Sequence, residues 1–266
     1  MCEQQFATIS FAMENGVGWI TLNRPERLNA LDITLGEEMV KALEICVGDQ
    51  EIRAVVITGS GRSFCSGGDV KSFGEFLDTD PSEPLRQATK LLNRIIMEIR
   101  LMPKPVLAAI NGTASGAGIS IALACDLRIA SESARFKQAY TAIGLVPDGA
   151  WCLWVSLLGG FGRASEMIFL DPVYDSKKAL VFGFVHEVVA PEKLMETARE
   201  WAEKLAKGPT LAFARAKEEL NHAMLGLLER HLEVERQNMI MAAQTEDYKE
   251  GLRAFFAKRP PVFSGK

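Results

Sequence analysis

The run Ala54-Val-Val-Ile-Thr-Gly59, continued by Ser60-Gly-Arg-Ser-Phe-Cys-Ser-Gly-Gly-Asp69, decides the fold. Its first half is a short apolar stretch ended by glycine, the pattern of a buried strand. Its second half is a glycine-rich loop. The same arrangement returns at Val106–Ile110, which is followed by Asn111-Gly112, by Ser115-Gly116-Ala117-Gly118 and by a helical apolar segment through Ala124. Leu127–Ala130 is a further strand. Between these strands lie amphipathic stretches at Ile33–Cys46, with Asp32 as its N-cap, and at Gln87–Leu101, which stops before Pro103 and Pro105. Strands alternating with helices, with glycines at strand ends, define an α/β protein. Upstream, Ile9–Ala12 and Val17–Leu22 flank Glu14-Asn15-Gly16, a hairpin signal, and Asn23-Arg24-Pro25-Glu26 breaks the second strand. Asp78–Pro84, polar and with two prolines, reads as a surface loop. Beyond about Pro191 the strands cease, and helices are expected at Leu194–Leu205, Leu211–Leu228 and Leu232–Ala243. The chain therefore divides into an α/β core over 1–195 and a helical C-terminal region over 196–266.

Composition narrows the functional classes. The 266 residues suit one large domain or two small ones, with enough core to fold without a disulfide or metal. Thirty Lys and Arg against 34 Asp and Glu leave a net charge of −4, so no nucleic-acid partner is expected. The five cysteines are odd in number and widely spaced, with no CxxC, which reads as reduced thiols and a cytoplasmic location. His186, His222 and His231 have no metal-ligand spacing, so no metal site is expected. The N-terminal MCEQQFATIS lacks the pattern of a signal peptide, the C-terminal VFSGK is no peroxisomal address, and no apolar run is long enough for a membrane span.

Three features carry chemistry. Small residues in the two loops, Phe64–Asp69 and Asn111–Gly118, let a backbone approach a ligand closely. The second loop opens a helix, whose first N–H groups lack partners. One N–H from each loop, aimed at one point, would form an oxyanion hole. Glycine spacing alone is more ordinarily the mark of a helix packed tightly on a sheet. Neither loop matches a dinucleotide or P-loop fingerprint. The third feature is Gly144-Leu145-Val146-Pro147-Asp148-Gly149. Pro-Asp-Gly is common turn chemistry, yet this turn is flanked by Ile143, Leu145 and Val146 before it and by Ala150, Trp151, Leu153 and Trp154 after it. A carboxylate at Asp148 would be partly desolvated, its pKa raised toward that of a general base at neutral pH.

Together, Asn23-Arg24-Pro25 with Asn29-Ala30-Leu31, Phe64–Asp69, Lys104-Pro105 with Asn111-Gly112, and Cys125-Asp126 with Ala130 resemble the signatures of the crotonase superfamily, in that family's order. Gly159–Ala164, Ala179 and Gly183–Val185 extend the resemblance over nearly the whole chain. It implies a spiral of ββα units with a C-terminal helical trimerisation region, assembled as a homo-trimer or a hexamer of two trimers. It implies an acyl-CoA substrate, with coenzyme A part of the thioester, no separate cofactor, and stabilisation of a thioester enolate. By position, the oxyanion-hole amides are those of Gly68 and Ala117. Ser66 and Gly67 would lie near the adenine, Arg27 and Leu28 beside the CoA chain, and Lys258 would reach a neighbouring subunit's CoA.

The family's hydratases use two glutamates around the added water, and those positions fall here on Ser120 and Tyr140. Asp148 falls where the family's enoyl-CoA isomerases carry a single carboxylate. Ala139–Asp148 and the C-terminal Phe256-Ala257-Lys258-Arg259-Pro260-Pro261 resemble the ring-opening isomerases of phenylacetate breakdown and the Δ3,Δ2-enoyl-CoA isomerases. The resemblance thus implies an acyl-CoA isomerase with Asp148 as base. The alternatives are a hydratase with displaced acid–base residues and a catalytically silent acyl-CoA-binding homologue. The dehalogenase branch also has an aspartate here, but its tryptophan and histidine patterns are lacking. Trp151 and Trp154 read as core or pocket wall, Cys65 and Cys125 as small buried residues, and Met239 and Met241 as helix-packing or subunit-interface residues. The charge-rich Glu218–Arg236 stretch, with His222 and His231, reads as a solvated helix face.

Overall fold

The computed structural model describes residues 6–224, 226 and 228–266. Its first elements are an antiparallel hairpin, β1 (Ile9–Glu14) and β2 (Val17–Leu22), paired from Ile9 opposite Leu22 to Glu14 opposite Val17. Asn15 and Gly16 both take positive φ, 51° and 77°, as a two-residue hairpin turn with the twist of its strands requires. Helix α1 (Ile33–Gly48) starts at Asp32, whose carboxylate accepts the Leu35 N–H at 2.8 Å. Then follow β3 (Ala54–Gly59), β4 (Ser63–Cys65), α2 (Val70–Gly74), α3 (Glu83–Leu101), β5 (Val106–Ile110), β6 (Thr113–Ser115), α4 (Ala117–Ala124), β7 (Leu127–Ser131) and β8 (Arg135–Lys137). The remainder is α5 (Trp151–Gly159), α6 (Phe161–Leu170), β9 (Tyr174–Asp175), α7 (Ser176–Val181), β10 (Glu187–Val189), α8 (Leu194–Ala206), α9 (Thr210–Met224), α10 (Leu228–Ala243) and α11 (Glu246–Ala257).

The strands form two sheets. The larger runs β1-β2-β3-β5-β7-β10, parallel except for the hairpin, and the smaller runs β4-β6-β8-β9. Successive ββα units give their first strand (β3, β5, β7) to the large sheet and their second (β4, β6, β8) to the small one, which winds the chain into a spiral. Alternation along the central strands explains why both faces must be covered. Val55, Ile57, Ala108 and Ile110 face the main core, whereas Ala54, Val56, Leu107 and Ala109 face a second cluster. Helix α8 closes that second face with Leu194, Ala198, Ala202 and Ala206, four positions on one stripe. The division drawn at residues 195/196 falls within this helix.

Several expectations shift. The three-residue strands β4 and β6 lie inside stretches that read as glycine-rich loops, because such short strands carry too few alternations to show a period. The expected surface loop over 78–84 ends earlier, since α3 begins at Glu83 and holds Pro84 in its first turn, where no N–H partner is lost. Leu228 and Leu232 share α10 rather than belonging to two helices. Among the described residues, no helix is long and apolar enough to cross a membrane.

Candidate active site

The motif residues of the first loop are chiefly architectural. Asn29 is fully buried and in the left-handed region, with φ 55°. Its side-chain carbonyl accepts the Arg24 N–H, and its amide donates to the carbonyls of Ser60 and Ser63. Arg24 pairs with Asp32 at 2.9 Å and Asp69 at 3.0 Å, tying the start of α1 to the glycine loop. Asn111 spans the two loops, accepting the Gly59 N–H and donating to the carbonyls of Gly61 and Ser63. Asp126 is held by Lys217 at 2.7 Å and Arg100 at 2.9 Å while it accepts the Val106 N–H.

These ties bring the two loops into contact at one end of the sheets. A Cβ on Gly118 would sit 2.1 Å from the Cys65 carbonyl oxygen, so only glycine lets α4 pack this close. Gly67 takes φ 100°, where a side chain would be strained, and a Cβ there would press on the Ser115 carbonyl oxygen at 3.0 Å. Gly68 and Ala117 line the same inner pocket. Neither amide donates to a protein acceptor among the described residues, and Ala117 is the first residue of α4, where an N–H has no intrahelical partner.

The inner pocket is walled by Leu31, Val70, Phe73, Leu85, Ala88, Leu92, Leu145 and Met239, with Tyr140 and Asp148 as its ionisable groups. Asp148 is 6% exposed. The Tyr140 hydroxyl donates to its Oδ1 at 2.6 Å, and the Ser120 hydroxyl donates to its backbone carbonyl at 2.7 Å. Burial pushes the Asp148 carboxyl up to about 7, with the nearby Glu235 carboxylate adding to the rise and the Tyr140 hydrogen bond opposing it. Burial first, and the facing Asp148 second, push Tyr140 well above its ordinary value, so it stays a donor at neutral pH. One pocket therefore holds two amides without a protein acceptor among the described residues and a carboxyl group raised by burial to about 7.

An outer groove shares Ser66, Gly68, Val70, Ala139 and Ile143 with this pocket and continues along Arg27, Leu28, Lys71, Lys137 and Phe255. Lys137 is paired with Asp171 at 2.9 Å, and Asp69 with Arg24, which leaves Arg27 and Lys71 as cations without an ion pair among the described residues. Ser66 lies at the junction of the two spaces, whereas Gly67 lines only the inner pocket. Leu28 lies beside the groove in left-handed backbone, φ 54°. Lys258 is not brought to either space within one chain; it caps α11 on the surface.

One expectation is overturned here. The stretch Glu218–Arg236 is not wholly a solvated face, because Glu235 is 5% exposed and its Oε2 accepts the Ala150 N–H at 2.6 Å. The signal was present in the sequence. Leu228, Leu232, Glu235, Met239 and Ala243 recur at helical spacing, and a carboxylate within that stripe must be buried. Cys65 and Cys125 are buried, as their apolar neighbours imply, and burial pushes their thiols up to about 11 and about 12.

The sequence pattern of the enoyl-CoA hydratase/isomerase family matches residues 12–266. The chain belongs to the enoyl-CoA hydratase/isomerase family, with the crotonase fold. It is 36% identical over 260 residues to 1,2-epoxyphenylacetyl-CoA isomerase of Escherichia coli K12, covering 96% of this chain and 97% of that one. It is 39% identical to a probable enoyl-CoA hydratase of Rhodobacter capsulatus, covering 98% and 99%. An enoyl-CoA hydratase crystal structure from Mycobacterium avium subsp. paratuberculosis K-10 superposes with a TM-score of 0.88 at 33% identity, over 98% of this chain and all of that one.

Proposed function

We propose that this protein is an acyl-CoA isomerase that shifts a double bond, or isomerises a ring, in an enoyl-CoA thioester, with Asp148 as its single base. One observation carries the reading: Asp148 is the only carboxylate lining the inner pocket among the described residues, and it shares that pocket with Gly68 and Ala117. The residues at the two positions where the family's hydratases carry glutamates are Ser120 and Tyr140, and both spend their hydroxyl protons on Asp148.

In this reading the Asp148 carboxylate removes the C2 proton of a 3-enoyl thioester. The electron pair moves onto the thioester oxygen, where the Gly68 and Ala117 N–H groups hold it. Each such donor is typically worth ~2.7–4 kcal/mol. The protonated Asp148 then returns its proton to C4, leaving the double bond between C2 and C3. One residue serves as base and then as acid, and no water is consumed. The CoA portion would take Arg27, Leu28 and Ser66 along the outer groove, with Gly67 in the adjoining inner pocket. Lys258 would come from a neighbouring copy in a trimer or hexamer, in the cytoplasm.

The hydratase names among the relatives favour a second reading, in which Asp148 activates a water instead. The test is Asp148→Asn assayed with a 3-enoyl-CoA, following conjugation by ultraviolet absorbance. The variant should bind acyl-CoA and lose turnover. Full turnover would remove Asp148 from the chemistry.

A further inference from the structure

The three consecutive residues that carry the base are clamped from three different helices. The Asp148 carbonyl accepts the Ser120 hydroxyl from α4 at 2.7 Å, and the Gly149 carbonyl accepts the Trp154 indole N–H from α5 at 3.1 Å. The Ala150 N–H donates to Glu235 Oε2 from α10 at 2.6 Å. The third clamp differs in kind. It is a buried carboxylate in an apolar stripe, making a backbone bond that a neutral acceptor could make. Burial of a charge is costly unless the charge is compensated. Beyond the Ala150 N–H, what faces it is His231 one turn back, with Nε2 3.0 Å from Glu235 Oε1. The approach does not meet hydrogen-bond geometry: both atoms are buried, and neither has a hydrogen-bond partner among the described residues. The His231 side chain is 32% exposed, with its Nε2 turned inward and buried. Ala150 itself is in left-handed backbone at φ 59°, a conformation a non-glycine residue holds only where its surroundings enforce it.

We propose that Glu235, backed by His231, is a positioning residue for Asp148, fixing the turn that aims the base and setting a negative charge behind it that His231 switches. The inference rests on the reading of Asp148 as the base. The titratable groups that face Glu235 are Asp148 and Tyr140 from the loops, Cys152 from α5, and His231 from its own helix. Burial and then Glu235 push Cys152 up to about 12, and Tyr140 also stays protonated. His231 is therefore the neighbour besides Asp148 that changes charge near neutrality, its proton held more tightly by Glu235. With His231 protonated, the pair is neutral and Asp148 ionises more readily. With His231 neutral, the bare Glu235 charge keeps Asp148 protonated to higher pH.

The test is the pH profile of kcat/KM for a 3-enoyl-CoA, measured on the full chain and on Glu235→Gln, Glu235→Leu and His231→Asn. Glu235→Gln keeps an acceptor for Ala150 but loses the charge, so its midpoint falls by roughly one pH unit with KM unchanged. His231→Asn moves the midpoint upward. Glu235→Leu lacks the acceptor and loses kcat roughly tenfold at constant KM, a loss that glutamine restores. A midpoint unmoved in Glu235→Gln and His231→Asn, while Asp148→Asn is inactive, overturns the role of Glu235 alone. A fully active Asp148→Asn overturns the reading of the base beneath it.

Discussion

Tyr140→Phe removes one atom from the site and changes the proton affinity of Asp148, the proposed base, in a calculable direction. The hydroxyl donates to Asp148 Oδ1 at 2.6 Å, and this bond favours the ionised carboxylate against the effect of burial. A hydrogen bond to a charged group contributes about 1.5–3 kcal/mol. At 1.36 kcal/mol per pK unit, its loss raises the Asp148 midpoint by roughly 1–2 pH units. Asp148 starts at about 7, so the variant should titrate at roughly 8–9. The active form is the carboxylate, which is lost as pH falls. At pH 7 the ionised fraction therefore drops from about a half to between about one tenth and one hundredth, a loss of roughly 5–50-fold in kcat/KM. At pH 9 most of that loss returns. The assay is the initial rate of conjugation of a 3-enoyl-CoA across the pH range, with KM measured at each pH. A Tyr140→Phe profile whose midpoint stays near that of the parent, or moves to lower pH, refutes the claim that Tyr140 tunes the base.

Two further outcomes follow from the same geometry. Asp148 is raised from 3.8 to about 7 in the folded chain, so it favours the folded state only while protonated. Its contribution to stability is lost as pH rises from 3.8 to about 7, a loss on the order of 4 kcal/mol that is complete above that window. Asp148→Asn, whose amide oxygen can still accept from Tyr140, should therefore melt higher than the parent at pH 8.5, with the gap shrinking toward pH 5; an equal gap at both would contradict the burial of this carboxyl. Ala117→Pro deletes one N–H of the proposed oxyanion pair at the first position of a helix, where proline is tolerated. It should cut kcat by roughly 10²–10³-fold while the circular dichroism spectrum is kept, and parent-like turnover would exclude the Ala117 amide from the chemistry.

The architecture was largely legible because its strands are continuous apolar runs with glycines at their ends. Ala54–Gly59 and Val106–Ile110 sit in the sheet where those runs placed them. Asp148 stood out through its apolar neighbours, and its burial matches them. What escaped was what only tertiary packing creates. The small sheet is built of strands of two or three residues, too short to show alternation. Tyr140 and Ser120 were read as missing glutamates, whereas their hydroxyls both point at Asp148 from eight and 28 positions away in sequence. Glu235 lies 85 positions from the amide it binds, and Glu233 and Arg236 beside it in the chain hid the apolar stripe it belongs to.

The central claim is that one carboxylate moves one proton and no water is added. Conversion of a 3-enoyl-CoA in heavy-oxygen water, with mass analysis of the thioester product, tests it most directly. The account predicts a conjugated 2-enoyl-CoA of unchanged oxygen content, and no product from Asp148→Asn. Heavy oxygen in a 3-hydroxyacyl-CoA formed as the principal product would contradict it.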